Sequence, residues 1–444
     1  MNPSDIAGFS AHSANPILPG YYADPSILQD GGNIFIYATL DPWGGETLGC
    51  WESSDFKNWT YRVLNWPTKR ACTSPTSRGD SVWAPSVVKG SEGQYHMAVS
   101  VNNEVWIGIA DHPLGPWSNV LGDRALIPAN YFPEYHMIDA ELFVDDDCQV
   151  YLYWGSGWNW VNGRCFAVKL KSDVATFDGD VKDVTPANYF EAPFIVKRHG
   201  RYFLMYSSGV TMKDTYQVHY AVGDSPSGPF TEPDNSPILI TNKDANIISP
   251  GHHAVFQHDG RDYILYHRHS IPFDPKFIGR QVCVDPIVFT ADGRIERVAP
   301  THDGPPLVQG RAESRAKFTA NVKASASSER DQFTGPERVL DDNYATRWVA
   351  ANGAKGAWIQ LDLGEVTSIA RQLIRPEYAW KPYRFTAQAS TDGNSWQTLA
   401  DFTKQPASGS PIEIAKSVTA RYLRLVFPED VNGSDISLFE WTLA

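Results

Sequence analysis

The stretch Asp24-Pro25-Ser26-Ile27-Leu28, followed after Gly32 by Asn33-Ile34-Phe35-Ile36-Tyr37, decides the fold. It reads as a short apolar strand, a glycine turn, and a second strand of β-branched and aromatic residues. The same unit returns four times. Ala84-Pro85-Ser86-Val87-Val88 leads into residues 94–98, Asp139-Ala140-Glu141-Leu142-Phe143 into 150–154, Glu191-Ala192-Pro193-Phe194-Ile195 into 201–206, and His252-His253-Ala254-Val255-Phe256 into 263–267. The unit starts lie 60, 55, 52 and 61 residues apart, with no helical periodicity between them. Repeated antiparallel units at that spacing predict an all-β chain whose first part is a five-bladed β-propeller.

The repeat also aligns chemistry. The leading position of the first strand holds Asp24, Ala84, Asp139, Glu191 and His252. In a propeller these strands line the central channel, so three carboxyls and a histidine are expected to converge at one end of it. A single Asp at a strand start is an ordinary turn residue. Three acids at equivalent repeat positions are not explained that way.

Composition agrees with this reading. The 444 residues include 15 Trp, 20 Tyr and 21 Phe, with 34 Gly and 31 Pro, which suits a turn-rich β protein with aromatic surfaces for sugar rings. A net charge of −13 argues against nucleic acid or an anionic membrane as partner. No apolar run approaches the ~20 residues of a membrane span. The first sixteen residues show neither the basic start nor the apolar centre of a leader. The expected location is therefore secreted or periplasmic with the leader absent, with the cytoplasm as the alternative. Cys50, Cys72, Cys148, Cys165 and Cys283 are odd in number and lack CxxC spacing, so neither a disulfide framework nor a zinc ribbon is expected.

From Ala312 onward 15 basic residues face 16 acidic ones, so the acidic excess belongs to the first part. The change falls among Pro300, Pro305, Pro306 and Gly310, before the small polar run Ala324-Ser325-Ala326-Ser327-Ser328. Trp358–Gly364, Phe385–Ser390 and Arg421–Val426 then alternate apolar and polar residues as sandwich strands do. The expected organisation is a tail at 1–14, a propeller at 15–308, a linker at 309–323 and a β-sandwich at 324–444.

Tyr21-Tyr22-Ala23-Asp24-Pro25-Ser26-Ile27, Trp83-Ala84-Pro85, Met137-Ile138-Asp139, Glu191-Ala192-Pro193 and Gly251-His252 together resemble glycoside hydrolase family 43, one motif per unit. The resemblance implies an inverting hydrolase of arabinofuranosides or xylosides. It gives Asp24 as general base, Glu191 as general acid and Asp139 as the carboxylate that modulates the acid's pKa. It also implies a sugar-reaching arginine at Arg280, and a histidine on the axis, His252, near a structural calcium ion held through waters. No cofactor is expected for the chemistry. The C-terminal residues Leu340-Asp341-Asp342-Asn343, Thr346-Arg347-Trp348, Trp358–Gly364, Ser390-Thr391-Asp392-Gly393 and Ala420–Arg424 resemble the discoidin, or coagulation factor 5/8 type C, domain, grouped with galactose-binding-like carbohydrate-binding modules of jelly-roll fold.

Inverting hydrolysis needs two carboxyls roughly 6.5–9.5 Å apart, one protonated to serve the leaving oxygen and one ionised to activate water. A third carboxylate near the acid raises its pKa by repulsion. Asp24, Glu191 and Asp139 match these roles in number and type. Trp83, which begins the second unit, and Tyr22, Phe35, Trp154 and Trp158, near expected channel-side strand ends, are candidate sugar platforms, and His267 is a weaker site candidate. The functional expectation is a monomeric exo-acting α-L-arabinofuranosidase on plant cell-wall polysaccharide or oligosaccharide side chains. β-Xylosidase, exo-galactanase and galactofuranosidase are alternatives on the same scaffold, and a non-catalytic sugar-binding propeller is the more distant one. A β-fructosidase is disfavoured, since its motif set is absent.

Overall fold

The computed structural model describes residues 6–311, 321–428 and 435–444. Most of the expected linker, together with residues 1–5 of the tail, lies outside the described residues. The chain forms two compact units, one of residues 21–55 and 62–301, the other of residues 1–20, 56–61 and 302–444.

The first unit contains five antiparallel sheets, each met in chain order. Tyr22–Asp30, Asn33–Leu40 and Leu48–Ser53 pair in sequence in the first sheet. Val82–Lys89, Tyr95–Val101 and Glu104–Ala110 do so in the second. Glu141–Val144, Val150–Trp154 and Phe166–Leu170 follow in the third. Glu191–Arg198, Arg201–Ser208 and Gln217–Gly223 make the fourth, and Gly251–His258, Arg261–His269 and Arg280–Pro286 the fifth. The first strand of each sheet touches the first strand of the next, and that of the fifth touches that of the first.

The middle strands are the most apolar because both of their faces are covered. Tyr95–Val101 is buried throughout, and residues such as Met97, Phe203, Leu204, Ile264 and Leu265 are fully enclosed. Apolar clusters lie between successive sheets, for example Tyr37, Cys50, Met97 and Val99 between the first and second. All five cysteines are free.

Each first strand is bent near its start by one residue with left-handed backbone geometry: Asp24 (φ 52°), Ala84 (45°), Asp139 (58°), Ala192 (57°) and His252 (37°). Non-glycine residues adopt this region rarely and at a cost. In four sheets the bend coincides with a slip in strand register, as between Ala23 and Ser26 and between Glu191 and Phe194. The repeat therefore places Ala192, not Glu191, in register with Asp24, Asp139 and His252. Glu191 stands one residue ahead, in register with Ala23, Trp83, Ile138 and Gly251. The sequence reading, which aligned Glu191 itself, is corrected by one residue because spacing does not show which residue of the strand start bends.

A second repeat holds these bends. The backbone N–H of Ala84 donates to Thr39 Oγ1 (2.9 Å), that of Asp139 to Ser100 Oγ (2.9 Å), that of His252 to Ser207 Oγ (2.9 Å) and that of Asp24 to His267 Nδ1 (3.1 Å). Each acceptor comes from the middle strand of the preceding sheet, the fifth preceding the first.

In the second unit, Lys323–Ala326, Ala357–Ile369, Val418–Phe427, Thr386–Ser390 and Gln397–Asp401 form a five-stranded sheet in that spatial order. Trp348–Val349, Ser437–Leu443, Gln372–Pro376 and Ile412–Ile414 form a four-stranded one. Ile359, Leu423 and Leu425 from the first sheet share one apolar cluster with Trp348, Ile374 and Trp441 from the second. This unit is β-rich, as its alternating strands require.

Candidate active site

The bent strand starts bring Asp24, Asp139, Glu191 and His252 to one pocket of about 260 Å³, joined by Arg280 from the last strand of the fifth sheet. Its walls are aromatic: Trp43, Trp83, His136, Trp158, Trp160 and Phe190 all face it.

Asp24 is held by four neighbours. Thr39 Oγ1 donates to Oδ2 at 2.7 Å, Arg280 Nη1 donates to Oδ1 at 3.1 Å, His252 Nδ1 lies 3.2 Å from Oδ1, and His267 Nδ1 accepts the backbone N–H. Burial by itself raises a carboxyl pKa, but the Arg280 and His252 charges outweigh it and hold Asp24 well below the usual carboxylate range. Burial drives His267 down to about 3, so it is neutral and acts on Asp24 as an acceptor. Arg280 is itself anchored: Asp41, a fully buried carboxylate, accepts from its backbone N–H at 2.8 Å, its Nε at 2.9 Å and its Nη2 at 2.8 Å.

Glu191 and Asp139 behave in the opposite way. Burial pushes both carboxyls up, the Asp24 charge adds to this at Glu191, and the Glu191 and Asp24 charges add to it at Asp139, so both hold a proton more readily than an exposed acid does. Glu191 keeps two donors, Tyr216 Oη at 2.7 Å from Oε1 and Ser156 Oγ at 3.1 Å from Oε2. His252 stands among the three acids. Burial lowers its pKa, but Asp24 and Asp139 more than compensate and bring it to about 9, so it is an imidazolium at neutral pH.

Nδ1 of His252 lies 3.2 Å from Asp24 and 3.8 Å from Asp139, so this nitrogen is engaged by carboxyls, and a calcium ion, which prefers oxygen ligands, would meet the ring only through waters. Among the described residues no three or more His, Cys, Asp or Glu side chains are arranged to hold a metal ion directly.

The structure brings Asp24, Asp139, Glu191, His252, Arg280, Trp83 and Trp158 together. Three expected sugar platforms are corrected: Phe35 is buried in the apolar cluster between the first and second sheets. Tyr22 is fully buried and packs edge-on against Trp51 at 5.4 Å between ring centres, while Trp154 is fully buried beside Phe166 and Phe177. Both lie on the strand face that fills the space between sheets, so neither reaches the pocket. Sequence reasoning missed Thr39, Asp41, Ser156 and Tyr216. Thr39, Ser100, Ser156, Ser207 and His267 share one signal, a polar residue just after the apolar part of each middle strand. Asp41 and Tyr216 carried none, because their partners are remote in sequence.

An aromatic pocket that holds one carboxyl ionised and two others toward protonation meets the acid-and-base requirement of a glycoside hydrolase. Residues 13–295 match the model of Glycosyl hydrolases family 43, and the chain belongs to that family. Residues 323–440 match the F5/8 type C domain. The chain is 34% identical over 318 residues to the β-D-galactofuranosidase xynD of Aspergillus niger, a match covering 68% of this chain and 88% of that protein. It is 26% identical over 337 residues to the arabinoxylan arabinofuranohydrolase of Bacillus subtilis, covering 66% of this chain and 65% of the other. A solved structure described as a glycoside hydrolase superposes with a TM-score of 0.81 at 28% identity, covering 99% of this chain and 100% of that one.

Proposed function

We propose that the chain is an inverting, exo-acting glycosidase that removes a terminal α-L-arabinofuranosyl unit from a polysaccharide or oligosaccharide. The observation that carries this reading is the opposite displacement of the carboxyl pKa values in one pocket, Asp24 down and Glu191 with Asp139 up. The five sheets are read as the blades of a propeller. The contacts between successive first strands support this, as does the hydrogen bond that joins the fifth sheet to the first through His267 and Asp24.

Asp24, ionised across the working range, takes the proton of a water as that water attacks the anomeric carbon. Glu191 gives its proton to the leaving oxygen, and Ser156 and Tyr216 fix the carboxyl's orientation while it does so. Asp139 shares the buried proton with Glu191 and raises the acid's pKa. His252 balances the negative charge of the cluster, and Arg280 orients Asp24 beside the sugar. The F5/8 type C domain is read as a module that holds the enzyme on a polymeric substrate.

The arabinofuranoside reading is supported by the arabinofuranohydrolase relative. A second reading, a β-D-galactofuranosidase, is favoured by the 34% identical relative. Galactofuranose is one carbon larger, so the two differ in how much of the aromatic wall the exocyclic group meets. A panel of arabinofuranosides, galactofuranosides and xylosides, with the product anomer followed by NMR, tests the reading. Release of arabinose with inversion is the expected result. Retention, or no release from any member by wild type, would sink the mechanism.

A further inference from the structure

Fifteen tryptophans are present, and among the described residues Trp43 at 45% and Trp160 at 39% are the exposed ones. Both line the pocket that holds the carboxyls, and both adopt left-handed backbone geometry, with φ of 57° and 60°. A bulky residue in that region is strained by roughly 1–3 kcal/mol and persists only where its surroundings over-determine it.

The surroundings do so here. Trp160 lies in a short loop with Asn159 and Asn162, themselves at φ 55°. Gly157 and Gly163 close that loop so tightly that a Cβ on the first would collide with Val161 O, and a Cβ on the second with Phe190 O. The loop is thus pressed against the residue preceding Glu191. Trp158 within it stacks on His136 at 4.2 Å. Across the pocket, the carbonyl of Trp43 accepts the Trp83 indole N–H at 3.0 Å, and a Cβ at Gly44 would strike the Trp83 ring. Two loops therefore spend backbone strain to keep two indoles in water at one pocket. Exposed, strained aromatics with no packing role on their outer faces point to a ligand.

We propose that Trp43 and Trp160 form the binding subsite for the leaving-group sugar, the ring joined to the terminal residue through the scissile bond. This rests on the glycosidase reading. The terminal sugar occupies the pocket floor among Asp24, Asp139 and Glu191, so the remainder of the substrate leaves past the exposed rim. Trp160 belongs to the loop packed beside Glu191, the acid that protonates the leaving oxygen, which places its indole on the leaving-group side, and Trp43 lines the same pocket from the opposite wall. A sugar ring presents flat C–H faces to such indoles, and the ligand class is an oligosaccharide of two or more units.

The test uses the full chain carrying Glu191→Gln, which binds without turnover, and calorimetry with free L-arabinose and with an arabinofuranosyl-substituted xylotriose. If wild type releases galactose instead, free galactose and a galactofuranosyl disaccharide replace them. Trp43→Gly and Trp160→Gly remove the indoles and relieve the left-handed strain, so neither is expected to lower the melting temperature. Each should weaken the oligosaccharide about 3- to 10-fold, the scale of one aromatic contact, and leave the monosaccharide within about twofold. Trp160→Tyr, which keeps a ring, should retain most of the affinity. Unchanged oligosaccharide binding, or equal loss for both ligands, overturns the subsite while leaving the glycosidase reading intact. A wild type that hydrolyses neither oligosaccharide overturns both.

Discussion

Arg280 Nη1 lies 3.1 Å from Asp24 Oδ1, while Asp41 grips the Nε and Nη2 of the same guanidinium at 2.9 and 2.8 Å. Arg280 and Asp41 are 239 residues apart, and both are buried. A cation taken out of water is tolerable only with such partners, and removing one typically costs about 3–5 kcal/mol. Asp41→Asn should therefore lower stability by that order, read by denaturant unfolding. It should also reduce turnover, since Arg280 is freed to draw Asp24 further from its basic role. A variant with parent-like stability would show that Asp41 is not the anchor.

The proposed base and acid should fail differently. Asp24→Asn leaves no group to activate water, so rates should fall about 10²–10⁴-fold for good and poor leaving groups alike. Glu191→Gln should spare substrates whose leaving group departs without a proton. Steady-state rates on an activated aryl glycoside and on a natural disaccharide separate the two. An equal loss for Glu191→Gln on both would withdraw its role as proton donor.

Tyr216 gives Glu191 a 2.7 Å hydrogen bond that stabilises the ionised carboxylate. Removing this donor takes away an influence that lowers the Glu191 pKa and leaves the burial that raises it. Tyr216→Phe should accordingly move the alkaline limb of the kcat/KM profile upward, with kcat reduced because the carboxyl is less firmly oriented. A limb that stays in place or moves down contradicts the assignment.

Glu141 lines a small cavity with Asp139, His252 and His253, and burial pushes its carboxyl up to about 8. The unfolded chain ionises the same group near its ordinary 4.5. Between these values folding takes up a proton, so this group makes stability fall as pH rises from 4.5 to 8 and adds no further slope above. Glu141→Gln has no proton to take up. The melting temperature of the variant minus that of the parent should grow from pH 5 to pH 8, and a difference constant with pH would refute the sign.

The strands were legible in the sequence because their signal is local. Alternation, glycine turns and the recurrence of an acid or histidine at intervals of 52 to 61 residues are properties of short stretches, and they sufficed to gather Asp24, Asp139, Glu191 and His252 at one pocket. The alternating strands after Ala324 were readable for the same reason. What tertiary structure decided depends on direction and on distant neighbours. In a strand, successive side chains face opposite ways, so a single bent residue settles which side chain meets the pocket. That is why Glu191 stands one position ahead of the repeat, and why Tyr22 and Trp154 are enclosed between sheets while Trp83 and Trp158 reach the site. Charge state is decided the same way. Asp24 and His252 acquire their protonation from each other and, for Asp24, from Arg280, more than 220 residues away along the chain, and a Coulomb interaction follows distance in space, not in sequence.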